Sequence, residues 1–87
     1  STTLKHGSFV SEPMTGKSIS DVPGIGSFLA ANFEAKGISK AQQIVGYLMT
    51  LDGDEGKFKD WVQSFGANTG HQQAVYDAVK EWCDNNV

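Results

Sequence analysis

Two glycines are the residues of this 87-residue chain best placed to do chemistry. Residues 19–33 read Ile19-Ser20-Asp21-Val22-Pro23-Gly24-Ile25-Gly26-Ser27-Phe28-Leu29-Ala30-Ala31-Asn32-Phe33. Apolar residues stand at 19, 22 and 33, Gly-Ile-Gly fills 24–26, and Ala30 follows after three spacers. That is the spacing of a helix-hairpin-helix motif. Glycines let the chain turn tightly where a Cβ would resist. A helix opening straight from such a turn leaves its first amides, here Gly26, Ser27 and Phe28, without intrahelical acceptors. Those N–H groups, aided by the helix dipole, suit a phosphate oxygen. Contacts of this kind hold a nucleic-acid backbone and carry no base information.

Other chemistry finds little support. Asp52, Asp54 and Glu55 read as the acidic start of a helix, where the dipole favours them, and not as a catalytic carboxylate pair. His6 and His71 lack ligand spacing, so no metal is expected. The single cysteine, Cys83, excludes an internal disulfide and reads as a small buried hydrophobe in a reducing compartment. No cofactor site is expected, and an enzyme is the least supported class.

The elements that must position the turn are all helical. A hydrophobic fraction of 39% supports a folded chain, and the length limits it to a single domain spanning 1–87. A first helix is predicted over Thr3 to Val10, stopped by Glu12-Pro13. The hairpin, at about 19–36, has a brief first helix over Ser20 to Val22 and a second from Gly26 to Lys36, ended by Gly37. Ser39 and Gln42 form a capping box for a helix burying Ala41, Ile44, Val45, Leu48 and Leu51, broken by Asp52-Gly53. Asp54 caps the next, with Phe58, Trp61, Val62 and Phe65 on one face and Gly66 as its stop. Thr69 and Gln72 form a second box opening a long helix with Val75, Ala78, Val79, Trp82 and Cys83 inward. The fold class is therefore all-α, a compact five-helix domain.

Charge pulls the other way. Seven lysines, no arginine and ten acids give −3, whereas duplex binders are usually basic. No apolar run approaches the roughly 18 residues of a membrane span, and no secretory signal is visible. A cytosolic or nuclear protein is expected.

Matching stretches extend along the whole chain: Lys5-His6, Phe9-Val10, Glu12-Pro13-Met14, Gly24-Ile25-Gly26, Lys40-Ala41, Gly46, Asp54-Glu55, Phe58, Trp61, Gly66-Ala67-Asn68 and Glu81-Trp82-Cys83-Asp84. In this order and spacing, with about one residue missing near Ser64, the chain resembles the barrier-to-autointegration factor family of small chromatin proteins. The resemblance implies a homodimer that binds double-stranded DNA without sequence preference and bridges two duplexes. It implies DNA contacts at Leu4, Lys5, Gly24, Gly26, Phe28, Thr69 and Gly70. A groove at the dimer interface, with Gly46, Thr50 and Trp61 at its positions, would receive LEM-domain proteins of the inner nuclear membrane, and lamins. Phosphorylation at Ser1, Thr2 and Thr3 would release DNA. The implied locations are nucleus, cytoplasm and nuclear envelope, with roles in chromatin organisation and nuclear envelope assembly and no membrane insertion.

Departures are specific. Gly70 stands where the family has lysine, Ala31 and Asn32 where it has basic residues, Asp52 and Gly53 where it has two lysines, and Gly7 where a basic residue follows His6. At the groove, Thr50 and Lys57 each replace an aliphatic residue. The motif favours a DNA-bridging dimer. The missing lysines favour the alternative, a protein-interaction module of the same fold with weakened or lost DNA binding.

Overall fold

The computed structural model describes residues 3–87; Ser1 and Thr2, two of the three expected phosphorylation positions, lie outside the described residues. Five α-helices and one turn of 3-10 helix follow one another: α1 (Leu4–Ser11), the 3-10 turn (Ile19–Asp21), α2 (Ser27–Ala35), α3 (Ala41–Thr50), α4 (Glu55–Gln63) and α5 (Thr69–Asn86). Phe9, Ile19, Val22, Ile25, Phe33, Ile44, Leu48, Phe58, Val62, Val75 and Val79 are buried almost completely and form one core.

The helix periodicities hold, but four starts shift, α2 opening at Ser27 with Gly26 as its N-cap and ending at Ala35. Thr3 is the N-cap of α1 and not its first residue, its hydroxyl accepting from the His6 amide at 3.0 Å. The expected Ser39–Gln42 box does not form. Gln43 instead accepts from the amides of both Ser39 and Lys40 at 2.9 Å, and α3 begins at Ala41. The cause is tertiary: an isolated antiparallel bridge pairs Ser18 with Lys40, so residue 40 stays extended until Ala41 donates to the Lys17 carbonyl. The expected Thr69–Gln72 box is replaced in the same way. Asn68 caps α5, its Oδ1 accepting from the His71 amide at 2.8 Å, while Gln72 Nε2 donates to the Ala67 carbonyl. Asparagine outranks threonine as a cap, and it stands one residue earlier.

The hairpin's first arm is also shorter than a helix. It is a single 3-10 turn, Ile19–Asp21, in which the Asp21 carboxylate accepts from the Ser18 amide at 2.9 Å. The expected stops do act, with Gly37 and Gly66 at φ +83° and +104°. Asp52 and Gly53 both take positive φ after α3, a conformation aspartate tolerates better than most residues.

α5 organises the rest. α1 lies along it, with His6 Nε2 3.0 Å from a Glu81 carboxylate oxygen and Trp82 Nε1 donating to the Glu12 carbonyl at 2.8 Å. Trp82 and Cys83 are half-buried there, less enclosed than their spacing predicts. α2 is tied to α4 by aromatic packing: Phe33 stacks on Phe65 at 4.0 Å and meets Trp61 edge-on at 5.5 Å. Asn32 Nδ2 adds a hydrogen bond to the Phe65 carbonyl at 2.8 Å.

Since Asn68 serves a single amide at the start of the longest helix, Asn68→Ala should cost about 1 kcal/mol, a typical N-cap loss. Urea denaturation checks this, and an unchanged midpoint would show that Thr69 takes over the cap.

Candidate nucleic-acid interface

The turn between the 3-10 segment and α2 is held by packing that only glycine permits. Gly24 has φ +89°, and a Cβ built on it would stand 2.8 Å from the His71 carbonyl oxygen, 2.9 Å from Val75 Cγ2 and 3.0 Å from Ala74 Cβ. The hairpin backbone therefore rests directly on the first two turns of α5. Gly26 differs: it is the exposed N-cap of α2 at φ −94°, and a Cβ there would meet nothing within 4 Å. The two glycines do separate jobs, one seating the turn and the other leaving its outer side open.

This seat brings the starts of two helices together. Among the described residues, no acceptor pairs with the amides of Gly26, Ser27 and Phe28, or with those of Thr69 and Gly70. All five residues are exposed. At α5, Asn68 occupies only the His71 amide, so the first two N–H groups remain open to a ligand. Each cluster sits at the positive end of a helix dipole.

Lys5 reaches the hairpin. Its ammonium donates to the Ile25 carbonyl at 3.1 Å, between the two hairpin glycines. The bond reaches across 20 residues, and no short-range pattern reveals it. Leu4 precedes it at the start of α1, 93% exposed. The seven expected contact residues, Leu4, Lys5, Gly24, Gly26, Phe28, Thr69 and Gly70, thus gather around the hairpin and the start of α5. Two further residues matter that the sequence reading left out of the site. Asn68 determines which α5 amides stay free, and Gly66 lets the Phe28 ring lie against it. An asparagine before Thr-Gly was a usable signal for the first.

The second expected cluster lies elsewhere. Gly46 and Thr50 are exposed on α3, joined by a hydrogen bond from Thr50 Oγ1 to the Gly46 carbonyl at 3.0 Å. Trp61 is half-buried and stacks on Tyr47 at 3.9 Å, so it belongs to the aromatic cluster bordering that face. Thr3 is exposed, its hydroxyl engaged as the α1 cap.

Burial pushes the Cys83 thiol up, with the neighbouring Asp84 charge adding to the rise, so the group is a poor nucleophile near neutrality. Among the described residues there is no cluster of three metal-ligating side chains. Among the described residues, no helix is long and apolar enough to cross a membrane.

Fold and surface together define a class: a small all-helical domain with open backbone amides at two helix starts. The family model for barrier to autointegration factor matches residues 1–86. Curated relatives of that name are similar over nearly their whole length. The zebrafish (Danio rerio) protein is 42% identical over 86 residues, covering 98% of this chain and 96% of the relative. The human (Homo sapiens) protein is 36% identical over 84 residues, covering 95% and 94%. The Drosophila melanogaster protein is 33% identical over 84 residues, covering 95% and 93%. The chain belongs to the barrier-to-autointegration factor family, a class of non-enzymatic DNA-binding proteins.

Proposed function

We propose that the protein binds double-stranded DNA without sequence preference and, as a homodimer, bridges two duplexes in nuclear chromatin. The observation that carries the reading is the meeting of two open helix starts across Gly24, with the Lys5 ammonium held beside them. Such a surface suits two or more phosphates of one strand and offers nothing to read bases with.

Dimerisation through α3 and the end of α5 is supported by a groove in which Leu48, Met49, Cys83 and Val87 are rimmed by Asp52, Gly53, Lys80 and Asp84, with Met49 and Val87 exposed. The face carrying Gly46 and Thr50, bordered by Trp61, is the proposed seat for LEM-domain proteins and lamins, which would bring the protein to the nuclear envelope during its assembly. A cytoplasmic pool is part of the same reading. Phosphorylation at Ser1, Thr2 and Thr3 would add negative charge within four residues of Lys5 in the sequence and oppose DNA. Gly7, Ala31, Asn32, Asp52, Gly53 and Gly70, which stand where the family carries basic residues, favour as the second reading a module whose protein contacts outlast its hold on DNA.

Fluorescence anisotropy of unrelated short duplexes over a salt series tests the first reading. Equal affinity across sequences, weakening with salt, is expected. Lys5→Ala should reduce the slope of log K against log salt by about one, and Gly70→Lys, whose Cβ would make an ordinary contact with Asn68 Oδ1 at 3.5 Å, should raise it by about one. No binding at low salt would leave only the protein-interaction reading.

A further inference from the structure

We infer that the Phe28 side chain is itself a DNA contact, packing on the deoxyribose beside the phosphate held at the hairpin and adding affinity that salt does not weaken. The inference rests on the nucleic-acid reading above. Phe28 opens the first turn of α2 and offers its amide to that surface, yet its ring is 68% exposed. Exposed apolar side chains are ordinary in isolation. This one stands where a gripped strand would pass, because a phosphate on the amides of residues 26–28 carries its flanking sugar into reach of side chain 28.

One edge of the ring also has a packing partner before any ligand arrives. A Cβ on Gly66 would be 3.0 Å from Phe28 Cε2 and 3.6 Å from Cζ, so the ring edge lies against bare backbone. Asn32, one turn further along α2, is near the same glycine and is fixed by its bond to the Phe65 carbonyl. A side chain already packed along one edge loses less freedom on binding.

Charge makes the contact consequential. Of the seven residues proposed to touch DNA, Lys5 alone is cationic, and the whole chain carries −3. Counterion release can therefore supply little affinity, whereas apolar burial is independent of it.

Anisotropy on one short blunt duplex, and on the same duplex with a one-nucleotide gap, separates the possibilities. Phe28→Ala should weaken binding to the blunt duplex roughly three- to tenfold at every salt concentration, leaving the salt slope unchanged. Phe28→Leu should keep most of the affinity, and both variants should melt like the parent because the ring is exposed. Parent-like affinity in Phe28→Ala overturns the contact while leaving the amide surface standing. A loss confined to the gapped duplex also overturns it, since the ring would then be stacking on an unpaired base. Failure of the parent to bind any duplex overturns the nucleic-acid reading itself.

Discussion

Gly26→Asp is expected to abolish duplex binding, by a factor of 100 or more, while leaving the fold at least as stable as the parent. The position has room, with nothing within 4 Å of an added Cβ and φ at −94°, in the ordinary range. Aspartate is among the best N-cap residues, so its carboxylate will accept from the Phe28 or Leu29 amide and gain a few tenths of a kcal/mol over glycine. The Phe28 amide is one of the three proposed to hold a phosphate. An internal anion then occupies the ligand's place and repels the strand as well. Gly26→Glu should lose binding too, mainly by repulsion. Anisotropy together with urea denaturation of the same sample checks the prediction. Retained binding in Gly26→Asp would mean that DNA does not use this helix start.

Two residues away the expected result has the opposite form. Gly24→Ala should destabilise the domain by about 2–5 kcal/mol. Positive φ for a residue bearing Cβ contributes roughly 1–2 kcal/mol. Crowding into a filled space adds about 1–3 kcal/mol. Here the nearest atom to the new methyl is the His71 backbone carbonyl at 2.8 Å, which cannot rotate away as a side-chain tip would. For a domain of this length, each kcal/mol moves the melting temperature by about 4–8 °C. A fall of at least about 8 °C is therefore expected in a thermal melt. If the variant melted like the parent, the hairpin would not be seated on α5 and the convergence of the two helix starts would lose its cause. Gly37→Ala separates strain from crowding, since Gly37 has φ +83° but open surroundings. It should cost only the backbone part.

These contrasts mark what was legible in the residues. Gly24 and Gly26 were readable as a turn because their spacing from Val22, Ala30 and Phe33 is local information. Their division of labour was not, since it depends on α5, some 50 residues further on. The helix starts show the same limit. Ser39-x-x-Gln42 and Lys40-x-x-Gln43 are neighbouring registers, and the bridge from Ser18 to Lys40 decides between them. The hydrogen bond from Lys5 to Ile25 joins segments that no periodicity links. The candidate site was named residue by residue through family resemblance, whereas the open amides at Gly26 and Phe28 followed from the chain alone. Asn68 and Gly66 escaped because each works through a neighbour: one by leaving two amides unpaired, the other by having no side chain.

The length of α5 carries a consequence for how an acidic protein tolerates a polyanion. Its 18 residues stretch across a domain whose largest dimension is 28 Å. Thr69 stands at one end, and Asp84 lies 15 residues along the axis, about 22 Å away at 1.5 Å per residue. Asp52 borders the same remote groove as Asp84. At physiological ionic strength a charge is screened over about 8 Å, so both carboxylates are almost invisible from Thr69. Net charge is thus a poor guide to what a ligand at Thr69 meets from this end of the molecule: the length of α5 alone puts Asp84 more than two screening lengths away.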